Sequence, residues 1–317
     1  MRILITGVAG FIGSNLASTL IDGGHTVIGI DIFSHGCRRN IKDIWNNSLF
    51  IFYEMDITLE ENIKGINFDI AIHLATQKIP RYDNSYATLS DNEKMLKNIV
   101  NACLENEARL LFASTSDVYG KNMNIPFSEE SELVLGRTDI KRWSYAVSKI
   151  YGEHYIIACS EEFGLEYTIM RLFSVYGENQ NITWWGGPQG LFIQNCLEGK
   201  PIDIHGTGMQ SRCFTYIEDT IDGIMRCIFN KRSTNEVFNI GNPLTAITIN
   251  ELANIICELT GKIVPIIYIP YSDFGKYEDV MSKIPNIDKI TDMLGFKPSY
   301  SIIDGLKKTI EWQTKLL

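Results

Sequence analysis

An apolar run at residues 3–6 leads into Gly7-Val8-Ala9-Gly10-Phe11-Ile12-Gly13, after which the apolar positions switch to helical spacing at Phe11, Ile12, Leu16, Leu20 and Ile21 until Gly23-Gly24. This reads as strand, glycine-rich turn and helix. The turn constrains everything downstream. Glycines at 7, 10 and 13 let the backbone bend tightly and approach a pyrophosphate, whose charge is met by free N–H groups at the helix N-terminus. A second strand at 26–30 delivers Asp31, eighteen residues after Gly13. A carboxylate there accepts from both ribose hydroxyls and repels a 2′-phosphate, so the expected cofactor is NAD rather than NADP. Arg38 and Arg39 favour NADP only if one of them turns towards a 2′-phosphate; as solvated charges they leave the choice to Asp31.

The alternation of strand and helix continues. A strand at 49–53 precedes Asp56-Ile57, where the acid either helps to hold an adenine or caps a helix at 58–64. A strand at 69–74 ends in His73-Leu74-Ala75-Thr76, with His73 read as a packed, hydrogen-bonded residue. Next come a long helix at 86–105, a strand at 109–113 ending at Ser114-Thr115-Ser116-Asp117, a helix at 141–163 closed by Gly164, and a strand at 166–171. Such a series predicts a Rossmann-type, doubly wound parallel α/β sheet whose ligands lie beyond the strand carboxyl ends. From about 178 the alternation weakens. Trp184-Trp185-Gly186-Gly187-Pro188 reads as a loop, its indoles either a packing plug or a platform for a base or sugar. Helices are expected at 191–198, 218–230, 248–260, 286–294 and 302–315, with strands at 202–205, 212–216 and 237–240. The expected division is a dinucleotide-binding domain at 1–177 with a return segment at 213–241, and a smaller α/β substrate-binding lid from 178–212 and 242–317.

Trp143-Ser144-Tyr145-Ala146-Val147-Ser148-Lys149 places a phenol and an ammonium four positions apart, on one face of the expected helix. A tyrosine acting as a base near neutrality needs its pKa of about 10 brought down by about three units, or about 4 kcal/mol. A nearby cation supplies part of that. Lys149 is one such cation and an oxidised nicotinamide ring is another. Alone, the spacing usually marks a solvated helix face; the glycine turn upstream gives the pair its meaning.

Composition narrows the ligand. A net charge of −9 over 317 residues argues against nucleic acid or an anionic membrane as the main partner, leaving a small charged ligand in a local basic pocket. The seven cysteines are scattered, without C-x-x-C or paired histidine spacing, so neither a disulfide scaffold nor a metal site is expected and a reducing cytoplasm is the expected compartment. No signal-peptide pattern or apolar membrane span is read.

Together these pieces resemble the extended short-chain dehydrogenase/reductases, in the nucleotide-sugar epimerase and dehydratase branch. The resemblance runs almost end to end, through the glycine turn, Asp31, Asp56-Ile57, His73-Leu74-Ala75, residues 114–120, Tyr145 with Lys149, Arg171 with Tyr176-Gly177, Arg212 ahead of Phe214-Thr215-Tyr216, and Asn239-Ile240-Gly241. It implies that Thr115 hydrogen-bonds the sugar hydroxyl being oxidised, Tyr145 takes its proton, and Lys149 binds the nicotinamide ribose and lowers the pKa of Tyr145. It implies NAD contacts at Gly7, Gly10, Phe11, Ile12, Gly13, Asp31, Asp56, Ile57, Leu74 and Ala75. Substrate contacts are implied at Thr76, Ser174, Trp185, Gln189 and Arg212, the last on a diphosphate.

Three departures stand out: Ser174 where the family often has Asn, Cys213 after the phosphate Arg, and Glu178-Asn179 in place of Pro-Arg. The family oxidises a hexose at C4, and the fate of the resulting ketone depends on further groups. Thr115-Ser116-Asp117 is similar to the Thr-Ser-Glu or Thr-Asp-Glu of dehydratases and decarboxylases, with Asp117 as the C5 base and Ser116 beside it. Asp117 as a cap of the 114–120 loop is the structural alternative. The expected function is therefore an NAD-dependent dehydratase of a UDP-linked hexose, similar to the tunicamycin-type UDP-GlcNAc 5,6-dehydratases. The alternatives are a 4-epimerase, a UDP-uronate decarboxylase, or an NAD-binding regulator, which loss of Tyr145 or Lys149 would mark; both are present. By the same resemblance, helices 86–105 and 141–163 form a homodimer interface, and Met95, Ile99 and Cys103 make an apolar stripe on the first.

Overall fold

Strands buried on both faces read as continuous apolar runs, and the N-terminal strand is one. Ile3, Leu4 and Ile5 are all fully buried, with Ile3 and Ile5 facing one core and Leu4 the other. The computed structural model describes residues 1–78 and 84–317. Seven strands form its main sheet: β1 (Arg2–Thr6), β2 (Thr26–Asp31), β3 (Phe50–Glu54), β4 (Ile70–His73), β5 (Arg109–Thr115), β6 (Tyr167–Leu172) and β7 (Glu236–Ile240). The order is β7-β6-β5-β4-β1-β2-β3, every pair parallel. The direction of winding reverses between β1 and β4, which opens a crevice at their carboxyl ends.

Helices cover both faces. On one side α1 (Phe11–Asp22) lies with α5 (Ile217–Phe229); on the other α2 (Ser85–Glu105) packs against α3 (Trp143–Phe163), which ends at Gly164 in the left-handed region as expected. Met95, Ile99 and Cys103 of α2 are buried within this chain, against the sheet. The stripe read from the sequence is thus the core face of α2. Burial of a side chain of this size stabilises by about 1.5–3 kcal/mol.

Most of the remaining elements gather above the crevice. They are α4 (Pro188–Glu198), α6 (Ile249–Thr260), α8 (Ile302–Thr314) and small sheets pairing Ile202–His205 with Ile266–Ile269 and Ser211–Cys213 with Ala246–Thr248 and Ser282–Lys283, while α7 (Asp288–Leu294) packs apart from them against the edge strand β7. The single strand expected at 212–216 is two. Ser211–Cys213 belongs to the upper sheet, while Thr215–Tyr216 pairs with Val175–Tyr176, and buried Phe214 marks where the chain changes partners. The helix expected at 58–64 is only a 3-10 turn at Glu60–Asn62, none of whose residues is buried; Ile63 just after it reaches the core. Among the described residues no helix is long and apolar enough to cross a membrane.

Candidate active site

A cavity of about 880 Å³ opens along the carboxyl ends of the strands, and every site residue named from the sequence lines it. At one end lies the glycine turn. Gly7 has φ +74°, and a Cβ there would sit 3.0 Å from the Ala75 nitrogen; a Cβ on Gly13 would lie 2.2 Å from the Gly7 carbonyl oxygen. The backbone is therefore as close to itself as glycine alone permits. Gly10 is the N-cap of α1 and offers no side-chain cap, leaving first-turn N–H groups for an anion. Asp31 is fixed at the end of β2 by N–H bonds from Ala9 (2.9 Å) and Phe33 (2.7 Å). Burial raises its pKa and those bonds oppose the rise. Arg38 pairs with Glu54 at 2.6 Å and covers the Phe33 ring, while Arg39 lies over Trp312. Arg38 is thus engaged by Glu54, whereas Arg39 also lines the cavity near Asp31. The turn and Asp31 fit a dinucleotide with a free ribose 2′-hydroxyl.

Asp56 accepts the Thr58 N–H at 2.8 Å, so it caps its turn and also lines the cavity beside Ile57. His73 is buried against the Thr6 hydroxyl at 2.8 Å, with burial and then Lys149 bringing its pKa down to about 3. It is the packed residue expected.

The other end holds the titratable groups. Lys149 Nζ donates to the Ala113 carbonyl at 2.8 Å and lies 4.6 Å from the Phe112 ring and 6.0 Å from the Tyr145 ring. Burial lowers its pKa to about 7, opposed by Glu153. Burial pushes the Tyr145 phenol up, Asp117 adds to that, and only a hydrogen bond with Thr115 opposes it. In the chain by itself the Lys149 ammonium is turned to the Ala113 carbonyl, and Asp117 is the charged group acting on Tyr145.

Asp117 sits at the centre. Its Oδ1 accepts from Lys283 Nζ and from Arg142 at 3.2 Å. Burial would raise its pKa, but Lys283 and then Arg142 hold the carboxyl well below the usual range. Arg142 and Arg212 share Asp279 at 2.9 and 3.1 Å, and Tyr271 donates to the same carboxylate. Burial lowers Lys283 to about 8 against the pull of Asp117, and half-buried Lys78 likewise. Sequence reasoning missed Lys78, Arg142, Asp279 and Lys283. Arg142 adjoins the Tyr145 motif, but no spacing ties it to residues 279 and 283.

Of the substrate residues, Thr76 bonds Asn92 at 3.3 Å, Ser174 has φ +36°, and Gln189 is buried with its Oε1 unpartnered among the described residues. Trp185 stacks on His35, ring centroids 3.6 Å apart, and so lies by the loop after β2 rather than beside Tyr145. Trp184 stacks on His205 at 3.9 Å. Among the described residues no group of three or more His, Cys, Asp or Glu side chains is placed to hold a metal.

The sequence model of the NAD dependent epimerase/dehydratase family matches residues 3–241. A UDP-N-acetyl-alpha-D-glucosaminuronate decarboxylase of Bacillus cytotoxicus is 32% identical over 98% of this chain and 97% of its own. The UDP-glucose 4-epimerase of Thermotoga maritima, solved with UDP-glucose, superposes with a TM-score of 0.90 at 29% identity, over 100% of this chain and 99% of that one. The UDP-glucuronic acid 4-epimerase of Bacillus cereus, solved with UDP-glucuronic acid and NAD, gives 0.89 at 28% identity over the whole of both chains.

Proposed function

Since the chain belongs to the NAD dependent epimerase/dehydratase family, we propose that it is a nucleotide-sugar dehydratase, which oxidises a UDP-linked hexose at C4 and then eliminates water across C5 and C6. The observation that carries this reading is the Asp117–Lys283 pair beside Tyr145. Residues 1–177 and 213–241 hold the cofactor, and 178–212 with 242–317 hold the sugar nucleotide. When bound, NAD supplies the acceptor for the C4 hydride and a positive ring that favours the phenolate of Tyr145. Thr115 orients the C4 hydroxyl, Tyr145 takes its proton, and Lys149 holds the nicotinamide ribose. Arg212 takes the diphosphate, with Thr76, Ser174 and Gln189 lining the rest of the substrate's path.

The C4 ketone makes H5 acidic. Asp117 removes that proton, the C5–H electrons form the C5=C6 bond, the C6–O bond breaks, and Lys283 protonates the departing hydroxyl as water. A carboxylate held this low is a weak base on its own. The two transfers help one another, because Asp117 gains basicity as Lys283 gives up its proton. Their hydrogen bond then returns the proton from Asp117 to Lys283, and the cycle closes when the hydride and a proton go back to the sugar, at C4 to leave a 5,6-ene or at C6 and C5 to leave a 6-deoxy-4-keto sugar, for a net loss of one water.

A second reading is loss of CO₂ from a UDP-uronate, with Lys283 protonating C5. Around the Asp117 and Asp279 carboxylates at the reacting end stand Arg142, Arg212 and Lys283, with Lys78 and Lys149 also lining the cavity, which favours an anionic substrate group. The decarboxylase at 32% identity points the same way. It stands second because decarboxylation needs no base and Asp117 would repel the carboxylate. Incubation with UDP-, GDP-, CDP- and dTDP-sugars followed by mass spectrometry tests the proposal: loss of water from a UDP-hexose supports it. Loss of CO₂ from a uronate, or no change of mass, counts against it.

A further inference from the structure

Residues 178–187 are tied to the dinucleotide-binding half at both ends. Near the start, Asn15 donates to the Glu178 carbonyl at 3.1 Å, Asn179 donates to the Ser14 hydroxyl at 3.2 Å, and Asn40 bridges the carbonyls of Ala9 and Asn179 at 3.1 and 3.3 Å. Ser14 and Asn15 belong to the first turns of α1, directly after the glycines. At the far end Trp185 stacks on His35, four residues after Asp31, while Trp184 is seated against His205 and Phe192. The segment therefore spans from the pyrophosphate end of α1 to the loop beside the ribose carboxylate, and its residues line the same cavity as Gly10 and Asp31.

We infer that His35 and Trp185 are positioning residues, fastening residues 178–187 as a strap that keeps the cofactor on the protein between removal of the C4 hydride and its return. This rests on the reaction proposed above, in which a cofactor lost midway strands the sugar as a ketone. Asn179 and Asn40 hold one end by hydrogen bonds to backbone and hydroxyl, so release needs the stack at the other end to part. His35 is exposed at the rim, so that parting disturbs no core.

The test is the release rate of NADH from the full chain on dilution, with the NAD(H) retained through purification measured alongside. An aromatic pair contributes enough that His35→Ala and Trp185→Ala should each release NADH about 2- to 10-fold faster. His35→Phe should restore the slower rate, and the apparent KM for NAD should rise in the alanine variants. Unchanged release in both alanine variants, or release from His35→Phe as fast as from His35→Ala, overturns the inference. Faster release in a protein that dehydrates no UDP-sugar supports the strap and counts only against the reaction.

Discussion

Asp117 is drawn two ways, because burial favours its neutral form and the cations beside it favour the charged one, and the cations prevail. It is ionised throughout the working range, so the titration that limits elimination is that of its partner. Lys283 gives a proton only while protonated, and burial brings its pKa down to about 8. The rate of water loss should therefore fall as pH rises through about 8, and Lys283→Arg should abolish that alkaline limb while slowing elimination. An unchanged limb in the arginine variant would show that another group titrates there. Tyr145→Phe should stop the first step, so that no reduced nicotinamide absorbance develops with substrate. Tyr145 and Lys149 were legible from their spacing, and Thr115 and Asp117 only through the likeness of Thr115-Ser116-Asp117 to a family motif. Lys283 was not, since its place beside Asp117 comes from the pairing of Ser282–Lys283 with Ser211–Cys213, which no local pattern announces.

Among the elements, the β1–α1 turn has the least tolerance. A Cβ on Gly13 would lie 2.2 Å from the Gly7 carbonyl and 2.9 Å from the Val8 Cα, both backbone atoms that cannot step aside. Gly13→Ala should cost about 1–3 kcal/mol by overpacking and abolish NAD binding, both readable by thermal unfolding with and without NAD. Helices α2 and α3 make the other element-scale expectation. With Met95, Ile99 and Cys103 committed to the core, their outer faces show Tyr86, Leu89, Val147 and Tyr151, all exposed. We propose that these faces pair in a homodimer. Light scattering should give twice the chain mass for the wild type and one chain mass for Leu89→Glu with Tyr151→Glu; a wild-type monomer at micromolar concentration would contradict the pairing. Element type was legible wherever one period ran long enough, as in α2; at 212–216 the type held but the span did not, because the chain changes sheets at buried Phe214.

At the scale of the molecule, one crevice joins a cofactor end built by the first two strands to a reacting end assembled from residues 115–117, 142–149, 212 and 279–283. The parallel sheet was readable because doubly buried strands and intervening helices repeat. The charge cluster was not, because it converges from four separate stretches of chain. Asp31, with Arg38 engaged by Glu54, predicts tighter binding of NAD(H) than NADP(H); equal affinities by calorimetry would remove that argument. The most direct test is a single turnover of Asp117→Asn and wild type with the UDP-sugar that the wild type consumes, tracking nicotinamide absorbance and product mass together. The wild type should release a product lighter by one water, while Asp117→Asn should oxidise C4, accumulate reduced nicotinamide and lose water about 10²–10⁴-fold more slowly. An Asp117→Asn enzyme that turns over normally, giving a product of unchanged mass and inverted C4, would make Asp117 a loop cap and the protein a 4-epimerase.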